Sequence, residues 1–374
     1  MEYSPYSHSS PYVFPPILGN MKLLLVLCFL LLSGVHHVES RRHPSRQQNY
    51  KLFVFGDSFV DAGNVPKSEK SRMSRGWYYP YGSSDSDNDD AASGRYSNGR
   101  VQSDFVAKIL RLEESPPPNR VREPNNADPS GVNFAAAGAG VFDAPDGEDG
   151  EGLPSLDRQI DQFSRLVNTG IIDGEDLDDS VALIGFSAAR DYMHVTDQTS
   201  STQVMFLCGE VTDAIVDGVR KLQKLGVSKV MVNSMPPLGC SPYRTRSNNY
   251  THCSNDVVSN THNMLLKKKL SDDAEKILLL DLNTVFSNLV EPEPGSSLSQ
   301  HQFKHKFTPC CDTSDPSVYY CGEEDNNGYA LYTLCKNPDN YFYWDYMHPT
   351  QAAWKVVMQM LQGQIEEFIG ISSW

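Results

Sequence analysis

Apolar residues are arranged along the chain in two ways, as short continuous runs and as longer segments in which they alternate with polar residues. Four short runs are rich in Val, Ile and Leu, which is typical of strands buried on both faces. They cover residues 51–55, 181–186, 229–234 and 277–282. Longer segments repeat their apolar residues at intervals of three and four, which predicts helices. These segments are residues 101–110, 156–168, 201–225, 255–270 and 351–369.

The order of these elements predicts a fold class. Strand followed by helix, repeated along the chain, is typical of a doubly wound α/β domain with right-handed crossovers between parallel strands. Ligands of such folds bind at the carboxyl ends of the strands. Residues 113–131 and 291–335 are long irregular insertions. Neither divides the chain, so we expect one domain over residues 46–374.

The first forty residues differ from the rest. Residues 21–40 contain one Lys, an apolar run over residues 23–32 and small residues before two arginines, which is typical of a secretory signal peptide. The run is too short to span a bilayer, which needs ~20 apolar residues. We therefore expect a secreted, extracellular protein without stable membrane insertion. Residues 1–20 fit neither a signal peptide nor a folded element, so we expect translation to begin at Met21.

The charge of the chain excludes some partners. The 374 residues include 47 acidic and 32 basic side chains, a formal net charge of −15. Such a surface is a poor partner for nucleic acid. Three acidic clusters lie among Gly, Ser and Pro at residues 85–90, 143–151 and 173–179. We expect solvated loops there rather than calcium sites, because none has the spacing of an EF-hand loop.

Most cysteines of an exported protein should pair. Cys28 would leave with the signal peptide, and Cys208 lies in an apolar stretch that predicts a buried free thiol. The remaining six allow up to three disulfides in fifteen connectivities, among which the sequence does not choose. They are Cys240, Cys253, Cys310, Cys311, Cys321 and Cys335.

Two further motifs bear on metal binding and modification. The stretch HQFKHKFTPCC carries His301 and His305 next to Cys310 and Cys311. Secreted thiols are usually oxidised, and the spacing matches no zinc pattern, so we expect no metal here. Asn249 begins the tripeptide Asn-Tyr-Thr, which predicts an N-glycosylation site on an exposed loop.

The stretch FGDSFVDAGN, residues 55–64, follows the first predicted strand. Gly56 allows a tight turn, after which a helix would begin with Asp57 or Ser58 as its cap. In the other interpretation, Ser58 is a nucleophile in the crevice at the end of the strand, near backbone N–H groups that stabilise an oxyanion. Taken alone, the stretch fits both interpretations.

A nucleophilic serine needs a base, and the base needs an orienting group. In WDYMHPT, residues 344–350, Asp345 stands three residues before His348 and just ahead of the last predicted helix. In a loop, this spacing can bring the carboxylate to one imidazole nitrogen while the other faces outward. The alternative is a surface Asp and an unrelated His, because Pro349 and Thr350 are ordinary helix-entry residues.

Four blocks together resemble the plant GDSL esterase/lipase family of the SGNH hydrolase superfamily. They are FGDSFVDAGN, GVNFAAAGAGVF at residues 131–142, PPLGCSP at residues 236–242 and WDYMHPT, and the resemblance spans residues 51–368. It implies a flavodoxin-like three-layer α/β/α sandwich with a parallel central sheet. Such a protein would be a hydrolase and needs no metal or cofactor.

The resemblance also implies roles for particular residues. Ser58 takes the place of the nucleophile, although Phe59 stands where the family name has Leu. His348 matches the general base and Asp345 its orienting carboxylate. The backbone N–H groups of Ser58 and Gly138 would contribute to the oxyanion hole.

One block departs from the family pattern. The chain reads ALIGFSAARDYMHV, and alignment on Asp191 and Tyr192 puts Arg190 in place of the oxyanion-hole Asn. An alignment on IGFS would instead put Ser187 in place of the Asn, but it leaves Asp191 and Tyr192 unmatched. GFSAA also half resembles the Gly-x-Ser-x-Gly elbow of α/β-hydrolases with Ser187 as nucleophile, but it lacks the second Gly.

We expect a secreted serine esterase or lipase that hydrolyses small-molecule or lipid esters through an acyl-enzyme. Loss of one oxyanion donor typically lowers turnover ~10²–10³-fold. The alternative is therefore a weakened or inactive binding protein on the same scaffold, because Arg190 replaces the Asn.

Overall fold

The structure is a computed structural model that describes residues 50–86, 89–146, 151–187, 190–196, 198–292 and 303–371. The predicted upstream extension and signal peptide lie outside these residues. A parallel sheet of five strands forms the centre, and its strands are numbered in chain order. They are β1 (Lys51–Gly56), β2 (Gly131–Asn133), β3 (Ser180–Gly185), β4 (Lys229–Asn233) and β5 (Ile277–Leu280). Their order in the sheet is β2-β1-β3-β4-β5.

Helices follow most of the strands. The α-helices of the described residues are α1 (Gln102–Ile109), α2 (Leu156–Asn168), α3 (Gly174–Asp178), α4 (Ser201–Lys224), α5 (Pro242–Thr245), α6 (Val257–Lys269), α7 (Leu282–Val290) and α8 (Gln351–Ile369). Single 3₁₀ turns occur at Arg75–Trp77, Asn119–Val121, Leu238–Cys240, Arg246–Asn248, Ser271–Asp273 and Pro338–Asn340. A small antiparallel pair, β6 (Cys311–Thr313) and β7 (Tyr332–Leu334), lies in the second insertion.

Alternate residues of the strands pack into two hydrophobic cores on opposite faces of the sheet. Phe53 of β1 packs in one core with Phe163 of α2, and its neighbour Leu52 packs in the other with Trp354 of α8. The first core also takes α4 and α6, and the second takes α1 and α7. Burial of each such side chain contributes about 1.5–3 kcal/mol. The result is the predicted three-layer α/β/α sandwich.

The predicted elements are all present, with ends within two residues of those expected. The short elements β2, β6, β7, α3, α5 and α7 were not predicted. In α3, Asp173 accepts a hydrogen bond from the Asp176 N–H, so residues 173–179 contain a capped helix rather than the expected loop. Helix α7 begins where we expected the fourth strand to end, because Asp281 caps it by accepting from the Thr284 N–H.

Three disulfides join the cysteine pairs Cys240–Cys253, Cys310–Cys335 and Cys311–Cys321, and the Cys208 thiol is buried in α4. The sulfurs of Cys310 and Cys311 are thus covalently bound to other sulfurs, and His301 lies outside the described residues. In the part of the chain that the structure describes, no group of three or more His, Cys, Asp or Glu could hold a metal ion. The same part contains no helix long and apolar enough to cross a membrane.

Candidate active site

Ser58 lies in the turn after β1, at the carboxyl edge of the sheet. The chain leaves the strand through Gly56, which has a φ of +150°. A Cβ at Gly56 would lie 2.1 Å from the carbonyl oxygen of Gly185, the last residue of β3. Only glycine fits there, because β1 and β3 end side by side. The turns that follow the two strands therefore lie close together.

Asp57, and not Ser58, caps the turn. Its Oδ1 accepts a 3.0 Å hydrogen bond from the Phe59 N–H, and its Oδ2 accepts from the N–H and hydroxyl of Ser187 at 2.7 and 2.6 Å. A single turn follows rather than a helix. The Ser187 hydroxyl donates to Asp57 and makes no hydrogen bond to an imidazole among the described residues. The Ser58 hydroxyl is left for another partner.

That partner is His348. Its Nε2 lies 2.8 Å from Ser58 Oγ, and its Nδ1 lies 2.8 and 2.9 Å from the two carboxylate oxygens of Asp345. Exposed fractions are only 9% for Ser58, 5% for His348 and 1% for Asp345. Such a chain of hydrogen bonds can take the proton from a serine hydroxyl as the oxygen attacks an electrophile. The structure thus brings together three residues that the sequence separates by up to 290 positions.

The loop before α8 holds the imidazole in place. The Trp344 N–H donates to the His348 carbonyl oxygen at 2.7 Å, and the Asp345 carboxylate accepts from the His348 N–H at 2.8 Å. Thr350 then caps α8 by accepting from the Ala353 N–H at 3.0 Å. The ring of Tyr96 packs against the imidazole with 5.2 Å between centroids. The three-residue spacing of Asp345 and His348 therefore closes a tight loop rather than placing both side chains in solvent.

Two residues that the sequence analysis missed surround Asp345. The Tyr81 hydroxyl donates to Asp345 Oδ2 at 2.8 Å, and Arg75 Nη2 lies 3.6 Å from the same oxygen. Arg75 Nε in turn donates to the Tyr81 oxygen at 2.8 Å. Burial opposes ionisation of the Asp345 carboxyl, but His348 and Arg75 hold its pKa well below the ordinary value. Burial raises the pKa of Tyr81 well above its usual range, so Tyr81 remains a neutral donor.

A cavity of about 190 Å³ opens in front of Ser58 and His348. Gly138 lies on its wall with a φ of +82°, and a Cβ there would lie 2.4 Å from Met73 Cε. The backbone N–H groups of Ser58 and Gly138 make no hydrogen bond within the described residues. Both are therefore available to an oxygen atom that enters the cavity.

Arg190 also lines this cavity, as does Ser187. Arg190 Cδ lies 3.3 Å from the position that a Cβ on Gly140 would occupy. The neighbouring Asp191 carboxylate accepts hydrogen bonds from the Val141 N–H at 3.0 Å and the Phe142 N–H at 3.2 Å. The departing block is thus tied to the loop that carries Gly138.

The fold and the site define a class of protein, an α/β/α sandwich with hydrogen-bonded Ser, His and Asp at the carboxyl edge of its sheet. The sequence model of GDSL-like Lipase/Acylhydrolase matches residues 52–360. This chain belongs to that family, which confirms the resemblance. Membership supports an ester hydrolase at the level of the family.

Curated relatives agree with this membership. A GDSL esterase/lipase of Arabidopsis thaliana is 34% identical over 346 residues, which cover 88% of this chain and 91% of that protein. A second GDSL esterase/lipase of the same plant is 32% identical over 355 residues, 91% of this chain and 94% of that protein. A GDSL lipase of Tanacetum cinerariifolium is 29% identical over 358 residues, 92% of this chain and 89% of that protein.

Proposed function

We propose that this protein is a serine esterase that hydrolyses carboxylic esters through an acyl-enzyme. The observation that carries the proposal is the pair of contacts at His348, 2.8 Å from Nε2 to Ser58 Oγ and 2.8 Å from Nδ1 to Asp345 Oδ1. One nitrogen is positioned to take a proton from the serine while the other is held by a carboxylate. In this proposal the neutral imidazole of His348 carries its proton on Nδ1 in the resting state.

The reaction proceeds in two halves. His348 takes the Ser58 proton as Oγ attacks the ester carbonyl carbon, and the carbonyl oxygen becomes an oxyanion near the N–H groups of Ser58 and Gly138. The imidazolium then protonates the departing alcohol as the carbon–oxygen bond of the ester breaks. In the second half, His348 takes a proton from water, which attacks the acyl carbon, and gives it to Ser58 Oγ as the bond between the acyl carbon and Oγ breaks and the acid leaves. Asp345 stabilises the imidazolium in both halves.

Export and glycosylation belong to the same proposal. Residues 21–40 have the pattern of a secretory signal, and three disulfides suit an oxidising compartment. Asn249 is exposed at a left-handed turn with a φ of +57°, where a glycan has room. A shift in mass after treatment of the exported protein with an N-glycosidase, absent from Asn249→Gln, tests this part.

Turnover of short acyl esters tests the enzymatic part. The wild type should hydrolyse 4-nitrophenyl butyrate, and Ser58→Ala should lose at least ~10³-fold in kcat, as expected when a nucleophile is removed. Circular dichroism verifies that the variant is folded. A folded Ser58→Ala variant with wild-type turnover would refute the assignment.

The second candidate function is a binding protein on a hydrolase scaffold with little turnover, and the presence of Arg190 in the cavity favours it. This candidate predicts a wild type with negligible kcat and an Arg190→Asn variant that gains ~10²-fold or more. High wild-type turnover that Arg190→Asn leaves unchanged or lowers would exclude it.

A further inference from the structure

Four consecutive residues connect the cavity to the interior of the protein. Arg190 and Met193 line the cavity, whereas Asp191 and Tyr192 between them make their contacts elsewhere. The Met193 N–H donates to the Arg190 carbonyl oxygen at 3.1 Å, which closes the four residues into a turn. Because Asp191 and Tyr192 are neighbours within one turn, a contact that holds Tyr192 also fixes the position of Asp191.

Asp191 holds the loop that follows Gly138. The Val141 N–H donates to both of its carboxylate oxygens at 3.0 Å, and the Phe142 N–H donates to Oδ1 at 3.2 Å. A Cβ on Gly140 would lie 2.7 Å from the same Oδ1, so the carboxylate packs directly against the backbone of this loop. The position of the Gly138 N–H, a proposed oxyanion donor, therefore depends on where Asp191 lies.

Tyr192 is held in turn by a buried histidine that the proposed reaction does not use. Its hydroxyl oxygen lies 2.8 Å from Nδ1 of His262 on α6, and the two rings meet edge to face with 5.8 Å between centroids. The exposed fractions are 5% for Tyr192 and 2% for His262. The Cys208 thiol contacts the same hydroxyl, but sulfur is a weak hydrogen-bond partner. His262 is therefore the main polar partner of Tyr192.

The pair of Tyr192 and His262 is an uncharged hydrogen bond inside a hydrophobic core. Burial lowers the pKa of His262 to about 4, and the positive charge of Lys269 acts in the same direction. Burial raises the pKa of Tyr192 well above its usual range, so the hydroxyl keeps its proton. A hydrogen bond has a narrow range of lengths and angles, so it fixes the Tyr192 side chain more closely than apolar contacts would.

We propose that His262 is a positioning residue of the esterase, which acts through Tyr192 and Asp191 on the loop that presents the Gly138 N–H to the oxyanion. His262 itself does not line the cavity. Its effect on the rate follows because a misplacement of about 1 Å at the reacting groups can cost ~10²-fold. This inference rests on the proposed esterase function and adds a residue to it.

Two variants separate positioning from packing. Tyr192→Phe/His262→Leu removes both polar groups and leaves no buried partner unpaired, so it should be nearly as stable as the wild type. Its kcat on 4-nitrophenyl butyrate should nevertheless fall roughly tenfold or more, with little change in KM. His262→Asn keeps a polar group near the position of Nδ1 and should retain most of the wild-type kcat, although its smaller side chain lowers stability. Steady-state kinetics and urea denaturation measure the two quantities.

Tyr50→Phe is the matched control. It also removes a buried phenol hydroxyl, which donates to the Ile369 carbonyl oxygen and lies just before β1, at the opposite edge of the sheet from Ser58. This variant should lose stability and keep the wild-type kcat. If the wild type cleaves the ester, a Tyr192→Phe/His262→Leu variant with the same kcat, or kcat values that follow stability across the three variants, would overturn the proposal.

Hydrogen exchange of the Gly138 loop tests the same link without turnover. The Val141 and Phe142 amides, which donate to Asp191, should exchange roughly tenfold faster or more in folded Tyr192→Phe/His262→Leu, and at the wild-type rate in Tyr50→Phe. Unchanged exchange in the double variant would overturn the proposal even if esters are cleaved. Faster exchange in a protein that cleaves no ester would refute the esterase function and still support the link from His262 to the loop.

Discussion

The Asp61 carboxylate accepts a 2.8 Å hydrogen bond from the backbone N–H of Ala137, and this contact ties the Ser58 turn to the loop that carries Gly138. The other oxygen of Asp61 accepts from the Gly63 and Asn64 N–H groups at 2.7 Å each. Asp61 is fully buried. One carboxylate thus positions the proposed nucleophile and one proposed oxyanion donor relative to each other.

Asp61 should make stability depend on pH. Burial raises the pKa of Asp61 to about 6, against ~3.9 in an unfolded chain. Between pH 4 and 6 the folded state therefore keeps a proton that the unfolded chain has lost, so this residue's contribution to the free energy of unfolding falls as pH rises.

Urea denaturation of the wild type and Asp61→Asn from pH 4 to pH 7 measures this effect. The stability of the wild type relative to the variant should decrease by roughly 2 kcal/mol over that range and then level off. A constant difference, or a wild type that gains relative stability with rising pH, would contradict the raised pKa.

Gly138→Ala should impair turnover more than folding. Its φ of +82° disfavours a side chain, so the backbone at Gly138, including its N–H, should shift, and the added Cβ would also displace Met73 Cε, 2.4 Å away. We expect a loss in kcat of about ten- to a hundredfold on a short acyl ester. Gly152→Ala is the control, because its φ is +79° but no atom lies within 4 Å of the new Cβ. Equal kcat values for the two variants would show that the Gly138 N–H has no role in turnover.

Tyr81→Phe should weaken the support of the imidazole. It removes the donor to Asp345 and the acceptor of Arg75 Nε. A hydrogen bond to a charged group contributes about 1.5–3 kcal/mol, so kcat/KM should fall roughly tenfold or more. Tyr343→Phe removes another buried phenol hydroxyl, one that does not contact Asp345, and should have a smaller effect. The idea fails if the two variants have the same kcat/KM.

The long helices of the fold could be predicted because each is long enough to show the repeat of its apolar residues. Helix Leu156–Asn168 and helix Gln351–Ile369 begin and end where the apolar repeat does. Strand Gly131–Asn133 could not, since three residues show no period. Helix Leu282–Val290 was obscured because its first residue continues an apolar run, although Asp281 is an ordinary cap.

Local motifs indicated the site residues, but their contacts depend on the tertiary fold. Ser58 and His348 are 290 positions apart, and Tyr81 and Asp345 are 264 apart, so no spacing rule joins either pair. Asp61 did carry a local signal, because an Asp two residues before Gly63 is typical of a side chain that accepts from the following backbone. Its third contact, with Ala137, has no such signal.

The position of the nucleophile is the central claim, and mapping of a covalent label tests it most directly. A fluorophosphonate probe is applied to the wild type, Ser58→Ala and Ser187→Ala, and the labelled peptide is identified by mass spectrometry. We predict a label on Ser58 in the wild type and in Ser187→Ala, and none on folded Ser58→Ala. Equal labelling of Ser58→Ala and the wild type, or a label on Ser187, would contradict the account.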